Sequence, residues 1–461
     1  MENRPLYVAV IGGGPAGIYA SDVLAKSGID AKIDLYEKLP APYGLVRYGV
    51  APDHPGIKHI IGALYDVLKT GDIRLVGNVE IGKDVTFDQL REHYDAVIIA
   101  TGADRDRNLT IPGVNLPEFY RASSFVGWYC GHPDFSRTWP LEAREVAVIG
   151  VGNVAVDVAR ILSKHVEDLL VTEIPQNVVD GLKQSSITDV HVFGRRGAAQ
   201  VKFSPNELRE LIRTPDVDVL VYREDFVHDE TVDVTQESKQ TRQVVKMLED
   251  HLELVEKAVA EDSLKASRRI HLHMMQAPVA VLGEEHVEGI RMERQRFIGD
   301  GRVEGTGETI DYPVQAVYSA VGYFGSPVPG APFDPNSGVV PNAEGRVIGD
   351  DGAPVSGMYA TGWAKRGAVG LIGSTKSDAR ETIAHLVEDA ENGELHATTD
   401  ALGWDATREL LESLGVRYTT WEGWELLEEY EKALGVPEGR ERIKVVDRET
   451  MTAVSRGELV K

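Results

Sequence analysis

The sequence predicts an α/β fold with two Rossmann-like dinucleotide-binding units, the second inserted into a discontinuous first. Three observations carry this. A glycine turn between an apolar strand and a helical run occurs twice, at Gly12–Gly17 and at Gly150–Ala155. The strand after the first turn ends in an acid, Glu37, and the one after the second ends before Arg195-Arg196. Each unit later carries an apolar strand closing on a small-residue turn, Ala100-Thr101-Gly102 and Ala320-Val321-Gly322.

Taken in order, Tyr7–Ile11 is an apolar run suited to a buried parallel strand. In the G-x-G-x-x-G that follows, Gly12 permits the tight turn and Gly14 the approach of a pyrophosphate. Gly17 lets helix and strand pack closely. The helix N-terminus offers free N–H groups and a positive dipole end to phosphate. Glu37 closes the next strand, where an acid accepts from ribose hydroxyls and repels a 2′-phosphate, so this unit suits FAD or NAD.

Residues 57–70 read as an amphipathic helix, 73–81 as strands with a Gly77-Asn78 turn, 87–93 as a short helix and 95–100 as a strand. Residues 112–144 read as a crossover with short helices. In the second unit the turn is Gly150-Val151-Gly152-Asn153-Val154-Ala155, with Ala as the third small residue and Val156 opening the helix. Two arginines at a strand end bind a 2′-phosphate or form a solvated surface pair; their place in a Rossmann unit favours NADP. Residues 204–270 read mainly as exposed helices, and 270–275, 287–296 and 315–320 as strands finishing this unit. The expected domains are 1–105 plus 330–461 for FAD and 106–329 for NADP. The Gly370–Thr375 turn is expected before a helix from about 376 to 392, with a helical acidic tail anchored by Trp421 and Trp424.

At 461 residues, 42% hydrophobic and 26% charged, the composition is that of a globular chain. A net charge of −24 argues against nucleic-acid binding and requires a local basic patch wherever an acidic partner docks. No run of eighteen apolar residues occurs, so no membrane span is expected. The N-terminus leads directly into the first strand, so no signal peptide is expected. Cys130 is the only cysteine, which excludes a redox pair or a protein-held iron–sulfur cluster and fits a cytoplasmic setting. No metal site is expected.

Two nucleotide sites in one chain suggest hydride transfer between nicotinamide and flavin. The helix start near Gly370 to Thr375 is either an ordinary cap or a dipole aimed at a flavin. In the Pro- and Gly-rich loop 42–55, His54 is either a structural loop residue or one that orients nicotinamide. Glu207, read alone, is a first-turn helix acid.

The run Tyr43–Arg47 with Gly49–Pro55 resembles the loop of the adrenodoxin reductase family, whose bacterial members are NADPH–ferredoxin reductases. Phe125–Tyr129, Gly152–Ala155, Asp157–Arg160, Gly194–Gly197, Glu207–Glu210, Gly362-Trp363 and Lys365–Gly367 match it in order, over about residues 7–390. The resemblance implies FAD contacts at Ala16, Glu37, Leu45, Val79, Trp363, Gly370, Leu371 and Ile372. For NADP it implies Asn153, Val154, Ala155, Val156, Arg195, Arg196, Glu207 and Gly370. It further implies that His54 and Glu207 pair near the nicotinamide, and that Arg209 and Arg213 receive a small acidic ferredoxin. An NADPH diaphorase or quinone reductase is the alternative. The chain departs from the family at Gly197–Gln200, at Val201–Asn206, where a lysine and a proline enter, and at Gly367–Gly370.

Overall fold

The computed structural model describes residues 4–459 apart from 228, 230, 232, 371, 396–398 and 400. It forms two compact units. The first comprises Met1–Arg105, Cys130–Asp134 and Tyr323–Lys461; the second comprises Asp106–Tyr129 and Phe135–Gly322. The chain thus re-enters the first unit at Tyr323 rather than near 330. Cys130–Asp134 joins it because Lys444 donates to the Cys130 carbonyl (3.1 Å) and Arg448 pairs with Asp134 (2.7 Å).

The first unit is built on a seven-stranded sheet. β1 (Leu6–Ile11) lies between β2 (Ala31–Glu37) and β4 (Ala96–Ile99), with β3 (Ile73–Gly77) outside β2. These four run parallel, and the strand Pro354–Ala360 joins β4, also parallel. Val8 and Val10 enter one core cluster; Ala9 and Ile11 enter another on the opposite face. Burial on both faces is why β1 is apolar throughout rather than alternating. The tail supplies Trp424, fully buried, whereas Trp421 is only half-buried.

The second unit is a six-stranded parallel sheet ordered Phe119–Arg121, Ala316–Ser319, Glu145–Ile149, Asp189–Phe193, Arg268–His273 and Val217–Val221. One expectation fails here. Val217–Val221, read as part of an exposed helical stretch, is the edge strand; its alternating V-D-V-L-V pattern is a strand period. Gly289–Gly299, expected as a strand of this unit, is one, and it pairs antiparallel with Gln276–Leu282 and Arg302–Tyr312 in a separate three-stranded sheet. Among the described residues no helix is long and apolar enough to cross a membrane.

One face of the parallel sheet carries an imidazole ladder. Asp189 and His191 on one strand and His271 and His273 on its neighbour share that face, with His271 in register with His191. The His191 and His271 rings stack at 4.3 Å, and His191 Nδ1 hydrogen-bonds His273 Nε2 at 3.0 Å. His271 is bonded by Asp189 (3.0 Å) and Tyr222 (2.5 Å). Burial, then the neighbouring imidazoles, pushes His191 down to about 3 and His273 down to about 2. Both folded-state values lie below the roughly 6.5 of an unfolded histidine, so the unfolded chain binds more protons in acid. The ladder's stability is therefore complete above about pH 6.5 and erodes as pH falls toward 3. Thermal unfolding between pH 7.5 and 5 should show a midpoint that drops with acidity. A His191→Phe/His273→Leu variant should show a shallower dependence, whatever its absolute stability; an unchanged slope would contradict this assignment.

Candidate functional site

The two glycine turns are built alike. Gly12 N–H donates to the Tyr36 carbonyl (2.7 Å), and Gly150 N–H to that of Phe193 (2.9 Å). Ala100 N–H donates to Ile11 and Ala320 N–H to Ile149, both at 2.8 Å. Gly12 and Gly150 adopt φ of +115° and +134°. A Cβ on Gly12 would lie 2.5 Å from the Ala100 oxygen, and one on Gly150 would lie 2.4 Å from the Ala320 oxygen. Only glycine fits a backbone this close to the next strand. The helices that follow, Pro15–Ala25 and Asn153–Ser163, present their N-termini at the turns. In the second unit the helix begins at Asn153, so Asn153, Val154, Ala155 and Val156 are its first turn.

The units differ at the end of the strand that follows the turn. In the first, Glu37 is buried at the end of β2, and its carboxylate accepts from Gly13 N–H (2.8 Å) and Leu39 N–H (3.0 Å). Burial pushes this carboxyl above its ordinary range, opposed by those two donors. An acceptor fixed at this strand end suits the ribose hydroxyls of a dinucleotide. In the second unit, Gly194 takes the corresponding place, and a Cβ there would meet Val151 at 2.8 Å. Arg195 follows, exposed, with Arg196 half-buried. The second-turn glycines are open: nothing lies within 4 Å of a Cβ on Gly152, and only Gly44 Cα at 3.8 Å near one on Gly14. That is the space a pyrophosphate needs, and both donor sets fit dinucleotides.

Several predicted FAD contacts converge in the first unit. Tyr43 N–H donates to the Gly13 carbonyl (2.8 Å), laying the 43–55 loop across the turn and placing Leu45, 41% exposed, beside it. Val79 is buried and donates to the Glu37 carbonyl (3.0 Å). A Cβ on Gly362 would lie 2.5 Å from the Ala16 Cβ, which puts Trp363 next to Ala16 at the start of the first helix. Gly370 is exposed with φ +88°. Leu371 lies outside the described residues. The helix expected from 376 is Ile372–Glu391, so Ile372 opens it and Gly373–Thr375 form its first turn.

The sequence did not show what holds the loop. Arg47 (2% exposed) pairs at 2.5 Å with Glu431 (0%), on the tail helix Trp421–Gly435. Its guanidinium lies 5.0 Å from the Trp424 ring centroid and 5.2 Å from that of Tyr48. Lys444 donates to the Arg47 carbonyl at 2.7 Å, and Tyr43, at φ +82°, packs edge-on against Trp424. Breaking such a buried pair from one side costs about 3–5 kcal/mol. His54 is buried in this loop.

In the second unit Glu207 is buried in the first turn of the helix Pro205–Ile212, capped by Ser204. Arg160 lies 3.5 Å from Glu207 and pairs with Asp157 at 2.7 Å, fixing this helix to Asn153–Ser163. Arg209, bonded to Asn206, and Arg213 lie four residues apart on the same helical face.

The family model described as pyridine nucleotide-disulphide oxidoreductase matches residues 6–202. NADPH-ferredoxin reductase FprA of Mycobacterium tuberculosis is 36% identical over 98% of this chain and 100% of its own. The mitochondrial NADPH:adrenodoxin oxidoreductase of Arabidopsis thaliana is 36% identical over 98% and 96%, and that of Homo sapiens 38% over 98% and 92%. The solved structure of Mycobacterium tuberculosis FprA in complex with NADPH superposes with a TM-score of 0.89, at 36% identity, covering 98% of this chain and 100% of that one.

The contrast between glycines is testable. Gly17→Ala, whose Cβ would sit 2.0 Å from the Gly12 oxygen, should abolish folding of the first unit or retention of FAD. Gly152→Ala should leave the thermal midpoint within a few degrees of wild type and raise the KM for NADPH, because its methyl enters ligand space rather than protein. A folded, FAD-replete Gly17→Ala protein would contradict the close approach.

Proposed function

The chain belongs to the adrenodoxin reductase family, and on that premise we propose that it passes electrons from NADPH, through FAD, to a small acidic ferredoxin-type iron–sulfur protein. It is an FAD-dependent ferredoxin–NADP(+) reductase. The observation that supports this most is the repeated glycine turn, backed by a buried carboxylate in one unit and two arginines in the other. When bound, FAD accepts a hydride and releases single electrons, the conversion a one-electron iron–sulfur acceptor requires.

The residues divide the work. In the FAD domain, the open Gly14 and the first helix N-terminus receive the pyrophosphate, Glu37 the ribose, and Ala16, Leu45, Val79, Trp363 and the 370–372 backbone the rest of the cofactor. In the NADP domain, Gly152 to Val156 take the pyrophosphate and Arg195-Arg196 the 2′-phosphate. His54 and Glu207 orient the nicotinamide; hydride transfer requires no general base, so their role is placement and electrostatic tuning. A cytoplasmic location suits a chain whose only cysteine, Cys130, is a buried free thiol. Sulfur chemistry of the disulphide-reductase kind has no second thiol here.

NADPH-driven cytochrome c reduction at low salt, with and without small ferredoxins, tests the reading. Saturable, salt-sensitive stimulation by one ferredoxin is expected; fast quinone or ferricyanide reduction without stimulation would indicate a diaphorase. Arg195→Ala/Arg196→Ala should weaken NADPH far more than NADH, each lost charge-assisted contact costing roughly 1.5–3 kcal/mol. Equal losses would remove the 2′-phosphate assignment. Charge reversal at Arg209 and Arg213 should lower ferredoxin reduction while sparing ferricyanide reduction, and parallel loss of both would refute docking on that helix face.

A further inference from the structure

The repeat between the two units extends past the glycine turn. In the first unit a returning loop crosses the turn's second residue: Tyr43 N–H donates to the Gly13 carbonyl at 2.8 Å. In the second unit the counterpart of Gly13 is Val151, and the residue that crosses it is Lys202, whose N–H donates to the Val151 carbonyl, also at 2.8 Å. Two residues on, Ser204 N–H donates to Asn153 Oδ1 at 3.0 Å, so the segment is fastened along the turn and onto the first residue of the helix. Phe203 between these anchors is buried and Lys202 is exposed. Val151 in turn packs on Gly194, the residue before Arg195. Lys202 therefore starts from the backbone position that separates the pyrophosphate turn from the arginine pair.

Charge supports the same place. The chain carries 73 acids against 49 lysines and arginines. Yet among the described residues the side chains of Arg195, Arg196 and Lys202 have no ion-pair partner. Two unneutralised cations after a strand end and a third on the segment that crosses the adjoining turn, in a strongly acidic protein, suit a multiply charged anion, and the whole-molecule field would otherwise repel it.

The geometry points to Lys202 as a third cation for the adenosine 2′-phosphate, a coenzyme-specificity residue beyond the arginine pair. This rests on the NADP assignment of the second unit. A lysine suits the task as a mobile point charge at the rim, where the arginines supply fixed planar donors.

The test uses the FAD-loaded enzyme with ferricyanide as acceptor, and in a parallel series with a small ferredoxin. Lys202→Ala should raise the ratio of the KM for NADPH to that for NADH about five- to tenfold, and Lys202→Arg should restore it. Competitive inhibition by adenosine 2′,5′-bisphosphate should weaken by a similar factor, with inhibition by 5′-AMP weakening far less. An unchanged ratio overturns the proposal. Equal KM increases for both coenzymes overturn it in favour of a pyrophosphate contact, and a change confined to the KM for ferredoxin overturns it in favour of docking. Arg195→Ala/Arg196→Ala separates the two levels: if that variant keeps its NADPH preference, the NADP assignment fails and Lys202 with it. If it loses the preference while Lys202→Ala keeps it, only the Lys202 proposal fails.

Discussion

Everything in this molecule depends on how closely two backbones can approach at a strand end. At Gly12 and Gly150 the chain turns within reach of a carbonyl on the neighbouring strand, leaving no room for a side chain. That contact brings the start of a helix directly behind a sheet edge, where unpaired N–H groups and the helix dipole meet whatever lies in the crevice. The same contact fixes where the next strand stops, and so where its last side chain falls relative to a ribose. Identity at that stop is then free to vary. One unit ends the strand in a carboxylate locked by two backbone N–H groups, and the other in a glycine followed by two arginines.

The acidic surface and the cationic sites are parts of one design. Most arginines are paired: Arg4 with Asp95, Arg74 with Asp34, Arg346 with Asp389, Arg417 with Glu449. In the first three the carboxylate is buried, and only Arg417–Glu449 is an exposed pair of the kind that adds little stability; all four neutralise cations that would otherwise compete for anions. Cations without ion-pair partners, Arg195, Arg196 and Lys202 among them, are left to attract anions from solution.

Much of this was legible in the chain. Gly12–Gly17, Glu37, Gly150–Ala155 and Arg195-Arg196 announce themselves because their spacing is dictated by local geometry, and the strands between them are short apolar runs buried on both faces. The misreadings have physical causes. Val217–Val221 sits among charged helices, and its five-residue alternation is brief beside them. The three-stranded sheet has a largely exposed outer strand, Arg302–Tyr312, without the apolar signature of a buried one. The helix at Ile372 begins in a glycine-bearing turn that reads as loop. The Arg47–Glu431 pair spans most of the chain, and no local pattern links residues so far apart; nor does anything in the sequence alone set Lys202 opposite Val151.

That long-range pair has a consequence for how the protein is made. Arg47 leaves the ribosome several hundred residues before Glu431 and Lys444, which takes up the Arg47 carbonyl. Until Glu431 is made, the loop that crosses the first glycine turn carries a cation whose burial is not compensated, so it stays in water. The whole second unit can be translated and folded in that interval. Closure of the loop over the first glycine turn is thereby tied to translation of the segment from Trp421 to Lys444, and a chain cut before that segment loses what holds the loop in place.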